Sequence, residues 1–378
     1  MTGPAGRPQV GAPPPVPGVG APPDGPLPAP GAAGPLGVVF PGQGAQTPGM
    51  GLDLARAYPL SAGRVFRTAD RVSGYRLSRL IERGSPDLLA RTDITQPALL
   101  TASVAAWEAL RSEVPGLSPS GGAGLSLGEY GALVAAGALD FEKALTLVTW
   151  RGRLMEEAAR RTPGGMAAVL GLDRAAVEGA CAEAAASGAG GVWVANYNAP
   201  GQYVVTGEKP ALEAASRLCL AAGGKVVPLR TSGPFHSPLM AEAGRRFSPL
   251  LELAPWRSPR FPVHSNATGL PYGATGATGA AGTASTRSRP ERASPARPED
   301  AIPAGLAAQV SSPVLWEDCV RDMARRGVRV FVELGPGRTV TSLVSRILPE
   351  AVVLNVSDLP SLRRTAELLR PYALGVVS

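Results

Sequence analysis

The chain has 378 residues, enough for one large α/β domain or two smaller ones, and 44% of them are hydrophobic, enough for a sizeable core. Its net charge of +7, from 37 basic and 30 acidic residues, is not gathered into a Lys/Arg block or interleaved with aromatics, so no nucleic-acid partner is expected. The three scattered cysteines have no metal-ligand spacing and fit a reducing cytosol, and no apolar run reaches the roughly 18 residues of a membrane span.

Residues 1–35 are mostly glycine and proline and are read as a disordered tail, with no charged-then-apolar pattern of a secretory signal. Gly37–Phe40 reads as a short buried strand running into Pro41-Gly42-Gln43-Gly44. That places a Gly-rich turn and Gln43 at a strand's C-terminal edge, where α/β folds bind ligands. Gln43 is either a plain turn residue or one that faces a ligand. Thr47 stands where a dinucleotide motif needs its third glycine, so that site is not expected. Helices follow over Asp53–Tyr58, Ala62–Ser73 and Gln96–Val114, the last capped by Thr95 with Pro97 in its first turn.

Gly124-Leu125-Ser126-Leu127-Gly128 has the Gly-x-Ser-x-Gly spacing of a nucleophile elbow, with Tyr130, Leu133 and Val134 continuing at helical spacing. In such an elbow the serine hydroxyl is exposed at a helix N-terminus, where backbone N–H groups hold a developing oxyanion. In a chain with 47 glycines the pattern alone is weak, and Ser118–Ala123 before it holds no β-branched strand former. A long helix begins near Asp140. Along it Ala144, Leu147, Val148, Leu154 and Met155 share an apolar face with Arg151, whereas Arg153 points elsewhere. Such an arginine either snorkels outward, pairs with a structural Glu, or waits for a substrate carboxylate.

Residues from about Thr162 to Thr231 read as a distinct β-α-β-β-α-β unit: strands Met166–Leu172, Val192–Asn196, Gln202–Thr206 and Lys225–Leu229, helices Ala175–Ala186 and Lys209–Ala222. The chain has two histidines. His236 lies in a loop at the exit of this unit, and His264 lies in Phe261–Asn266, which reads as a strand. A serine that needs a base points to His236, the residue on the loop. A low-complexity stretch from about Tyr272 to Asp300 reads as a flexible surface insertion. Asp318–Arg326 is a helix, Val328–Glu333 a strand, Gly335-Pro336-Gly337 a tight turn and Thr339–Ile347 a helix.

Seven ordered motifs carry a family resemblance: Phe-Pro-Gly-Gln-Gly (40–44), the elbow (124–128), Arg-Gly-x-x-Met (151–155), Asn-x-Asn-x-Pro-Gly-Gln (196–202), Phe-His-Ser (235–237), Gln-x-x-x-Pro-Val-x-Trp (309–316) and Glu-x-Gly-Pro-Gly (333–337). Together they resemble the malonyl-CoA:acyl carrier protein transacylase family, including acyltransferase units of polyketide synthases, over about Leu36 to Leu354. The resemblance implies an α/β fold. Its large α/β-hydrolase-like subdomain would span residues 36–161 and 232–378 around a parallel sheet, with the 272–300 insertion on its surface. Its small ferredoxin-like βαββαβ subdomain would be residues 162–231.

It also implies roles. Ser126 is the nucleophile and His236 its base. Backbone amides of Gln43 and Leu127 form the oxyanion hole, and Arg151 grips the malonyl carboxylate. The Gln309 carbonyl orients His236. Phe235, Gln309, Met155, Asn196 and Asn198 contact substrate, and Phe235 disfavours a 2-methyl group. Malonyl-CoA and acyl carrier protein are the implied partners, with no resident cofactor or metal, a monomer by default, in the cytoplasm. The sequence departs from the family at Leu125, where a histidine is usual, and this implies weaker malonyl binding or turnover. The resemblance leaves open fatty acid synthesis, a polyketide pathway and a non-catalytic carrier-protein binder; an esterase using the same elbow is a further reading.

Overall fold

A computed structural model describes residues 35–274 and 297–373. Its strands are β1 (Leu36–Phe40), β2 (Gly121–Gly124), β3 (Gly164–Leu170), β4 (Val192–Ala199), β5 (Gln202–Glu208), β6 (Lys225–Pro228), β7 (Val330–Leu334) and β8 (Val352–Val356). One sheet is parallel, in the order β2-β1-β7-β8, and the other is antiparallel, in the order β4-β5-β3-β6.

Short, continuously apolar strands buried on both faces are what a parallel sheet covered by helices requires, and β1 and β7 are buried throughout. Their side chains alternate between two core groups. Val38, Phe40 and Val332 pack with the helix Thr92–Glu113, while Val39 and Phe331 pack with Trp316 and Met323 of the helix Trp316–Arg325.

β2 is a strand with no strand formers, Gly-Gly-Ala-Gly. Close approach explains it. A Cβ on Gly122 would stand 2.8 Å from the Phe261 ring, and one on Gly124 only 1.8 Å from the Gly128 carbonyl carbon. Size at these positions overrides β-propensity.

The antiparallel sheet has the βαββαβ order and ferredoxin-like strand arrangement. Met166, Ala195 and Val204 face the main core. Ala167, Val169, Val194 and Val205 face the helices Arg174–Ala186 and Lys209–Ala221 on the other side. This is the period-two alternation of a sheet between two layers. Asn196 of β4 bridges Val314, which ties this sheet to the segment before the helix Trp316–Arg325.

Several boundaries differ from the sequence reading. The helix expected from Gln96 starts at Thr92, with Arg91 at its N-cap, so Thr95 and Pro97 lie inside it. The Thr95 hydroxyl donates to the Leu89 carbonyl rather than capping, and Arg91 pairs with Asp93 at 2.8 Å in the true first turn. Phe261–Asn266 is not a full strand. It makes single bridges, Val263 to Gly122 and His264 to Pro271. Of the low-complexity stretch, residues 275–296 lie outside the described residues, but its end opens the helix Pro298–Gln309. The proposed tail lies outside them too, except Pro35. Among the described residues no helix is long and apolar enough to cross a membrane.

Candidate active site

The elbow is built where β1 and β2 end side by side. The Leu125 amide donates to the Phe40 carbonyl at 2.9 Å, and a Cβ on Gly128 would stand 2.2 Å from that same oxygen. Only glycine lets the helix Gly128–Ala135 start this close to β1. Ser126 sits between with φ +52°, and His236 has φ +58°. They are the two non-glycine residues with positive φ among those described, a conformation that costs energy and clusters at functional sites. Leu127 is the helix N-cap, so its N–H belongs to the orphan donors of a helix start. The Gly42 turn lies directly against the elbow: a Cβ there would be 2.4 Å from the Leu125 carbonyl oxygen. Gln43, next in chain, donates from its side-chain Nε2 to the Thr92 hydroxyl at 3.4 Å.

Ser126 Oγ lies 2.8 Å from His236 Nε2, and His236 Nδ1 lies 3.0 Å from the Gln309 carbonyl. A carbonyl only accepts, so Nδ1 carries the proton and the Nε2 lone pair faces the serine hydroxyl. Burial, and then the charge of Arg151, push the His236 pKa down to about 4, so the imidazole is neutral at neutral pH.

Arg151 is 1% exposed. It donates to Gln96 Oε1 at 2.7 Å, to Gln309 Oε1 at 2.9 Å and to Ser126 Oγ at 3.1 Å. Its Nε is buried with no acceptor, and its guanidinium lies 5.9 Å from the Tyr130 ring centre. Among the described residues no carboxylate touches it. The nearest route to one runs through Gln309, whose Nε2 donates to Glu129 Oε2 at 2.7 Å and to the Ser126 carbonyl at 2.9 Å. Glu129 has no solvent exposure, and burial raises its pKa to about 7 against the hydrogen bonds it accepts.

Of the other residues the sequence singled out, Met155 is buried and accepts from Gln96 Nε2 at 3.5 Å, and Phe235 is buried in the main core beside His236. Asn196 and Asn198 make no hydrogen bond to this cluster among the described residues. Asn198 is buried with Oδ1 unpartnered. His264 lies elsewhere, bonded to Asp322 at 2.9 Å. Sequence reasoning missed Glu129, Asn266, Tyr272 and Gln96. Asn266 accepts from the Ser126 amide at 2.6 Å and donates to the Gly124 carbonyl at 2.8 Å, pinning the elbow from both ends. Gln96 had no signal beyond its place near a helix start.

An acyl transferase domain model matches residues 38–368. The chain is 38% identical over 333 residues to the malonyl CoA-acyl carrier protein transacylase of Haemophilus influenzae, covering 88% of this chain and 98% of that one. The chain belongs to the malonyl-CoA:acyl carrier protein transacylase family. A solved transacylase of that name from Clostridium perfringens matches with a TM-score of 0.78 at 34% identity, over 90% of this chain and 98% of that one. Another solved structure, of a type II polyketide synthase acyl-carrier protein bound to its malonyl-transacylase, matches with a TM-score of 0.76 at 38% identity, over 88% and 99%. Where the family usually has histidine, Leu125 packs partly buried on the apolar group around Val39, Ala123 and Trp316.

Proposed function

We propose that the chain transfers the malonyl group of malonyl-CoA to the phosphopantetheine thiol of an acyl carrier protein, through a malonyl ester on Ser126, supplying extender units for fatty acid synthesis. The observation that carries this reading is that one oxygen, Ser126 Oγ, meets both His236 Nε2 at 2.8 Å and Arg151 at 3.1 Å. A hydroxyl that accepts from a guanidinium has its own proton left to give to a neutral imidazole. The attacking atom and a cation suited to a carboxylate thus share one site.

Ser126 Oγ attacks the thioester carbon and its proton passes to His236 Nε2. Backbone amides of Gln43 and Leu127 hold the oxyanion. The C–S bond breaks and the coenzyme A thiolate takes the proton from His236. In the second half the carrier thiol gives its proton to His236 and attacks the ester carbon. The C–O bond then breaks and Ser126 is reprotonated. Arg151, whose buried Nε has no acceptor, holds the malonyl carboxylate. Phe235, Met155, Asn196, Asn198 and Gln309 line the acyl and pantetheine path, with residues 162–231 as one wall and residues 36–161 and 232–378 as the body. The enzyme works as a cytoplasmic monomer with no resident cofactor, membrane or nucleic acid. The solved complex with a polyketide carrier favours a second setting for the same chemistry, a polyketide pathway; carrier preference separates the two.

Intact-protein mass after brief mixing with malonyl-CoA tests the relay. A malonyl adduct absent from Ser126→Ala, and discharged by carrier protein, is expected. No adduct on folded protein overturns the reading.

A further inference from the structure

Glu129 is fully buried one helical turn after Ser126, and it holds two residues, Gln309 and Asn266, that bond directly to Ser126. Its carboxylate accepts from Gln309 Nε2 at 2.7 Å, from the Asn266 amide at 2.9 Å and from the Tyr272 hydroxyl. All three partners are donors, so the site is written for an acceptor. The acceptor at Glu129 obliges Gln309 to present Nε2 on that side and Oε1 on the other, toward Arg151 at 2.9 Å. The same Oε2 anchors the backbone of Asn266, whose side chain accepts from the Ser126 amide at 2.6 Å.

We propose that Glu129 is a positioning residue: by fixing the amide of Gln309 and the backbone of Asn266, it sets the guanidinium of Arg151 and the hydroxyl of Ser126 against each other. It touches neither substrate nor the reacting atoms. The proposal rests on the transacylase reading for its substrate, but its geometry concerns the readiness of Ser126 towards any acyl donor.

A glutamine at 129 can keep its oxygen toward Gln309 and Asn266 and turn its amide toward Tyr272, whose hydroxyl then accepts. A methionine fills the space and accepts nothing useful. The test compares Glu129→Gln with Glu129→Met by the rate at which a fluorophosphonate labels Ser126, and by kcat/KM with malonyl-CoA and carrier protein. Glu129→Gln is expected within a few-fold of the parent in both, and Glu129→Met about 10- to 100-fold lower in both, the loss expected when buried donors go unpaired. Equal behaviour of the two variants, whether both active or both impaired, overturns the proposal. A parent that labels normally but never takes malonyl would instead sink the substrate reading and leave the labelling comparison decisive.

Should Glu129→Met fail to fold, an exchange decides. Gln309→Glu sets two carboxylates face to face, and adding Glu129→Gln removes that opposition while keeping an acceptor for Arg151. Labelling in the double variant at least about tenfold above Gln309→Glu alone is expected. No recovery overturns the proposal.

Discussion

Arg151 donates to the hydroxyl oxygen of Ser126 at 3.1 Å, and among the described residues no carboxylate contacts the guanidinium. The cation that would receive an acidic acyl group therefore also polarises the attacking atom. Replacing Arg151 by alanine removes both effects, and truncating one side of a buried charged contact costs about 2–5 kcal/mol. Arg151→Ala should lower kcat/KM for malonyl-CoA by about two to three orders of magnitude. Arg151→Lys should recover little of it, since a lysine cannot meet Gln96, Gln309 and Ser126 together. Steady-state kinetics with malonyl- and acetyl-CoA checks this. A malonyl preference untouched in either variant contradicts it.

The low pKa of His236, near 4 through burial and the charge of Arg151, sets an acid limit. The base is neutral well below pH 6, so the rate of Ser126 malonylation should hold down to about pH 5 and fall as His236 protonates. The same depression bears on stability. The folded state resists a proton that the unfolded histidine binds below about 6.5. The stabilisation from keeping His236 neutral is therefore full above that value and is lost as pH falls toward 4. Pre-steady-state mass measurements between pH 4 and 8 test the first statement. Melting of His236→Gln against the parent over the same range tests the second: the parent should lose more on acidification.

Gly42 packs too close to the elbow to carry a side chain. A Cβ there would stand 2.4 Å from the Leu125 carbonyl oxygen, so Gly42→Ala must shift the turn that carries Gln43 relative to the elbow. If the Gln43 amide holds the oxyanion, the loss is that of one donor, about 2.7–4 kcal/mol or 10²–10³ in kcat. Fluorophosphonate labelling and kcat should fall together while the protein stays folded by circular dichroism.

Leu125 packs on apolar neighbours and offers no polar group beside the nucleophile. A histidine there, usual in the family, adds a donor next in chain to the nucleophile. Leu125→His should raise kcat/KM for malonyl-CoA about tenfold, in line with a charge-assisted hydrogen bond, and leave acetyl-CoA unchanged. Equal gains for both substrates would point to a change in packing instead.

The parts of this site that could be read from sequence are those whose residue type is anomalous for its place. Ser126 lies between glycines, His236 is one of two histidines, and Arg151 interrupts an apolar stripe. Glu129 carries no such mark. An acidic residue in the first turn of a helix is favoured by the helix dipole and is ordinarily solvated, so its complete burial is decided by Tyr272 and Gln309, more than a hundred residues away. Asn266 was hidden for the same reason, because its partners on the elbow are distant in sequence. In the fold, hydrophobic period located most elements, including all four strands of the antiparallel sheet. β2 escaped because tight packing against Phe261 and Gly128 selects glycine where propensity asks for β-branched residues. The start of the helix at Thr92 escaped because Pro97 reads as a first-turn residue when its tertiary support is unknown.

The two left-handed backbones at Ser126 and His236 carry one more consequence. Each holds a side chain in a conformation that glycine adopts freely, at a cost of order 1–3 kcal/mol. Reactivity and endurance are thus opposed at the same two peptide units. A chain with glycine at 126 would lose its chemistry together with this local strain, and would leave the buried Arg151 guanidinium one acceptor short.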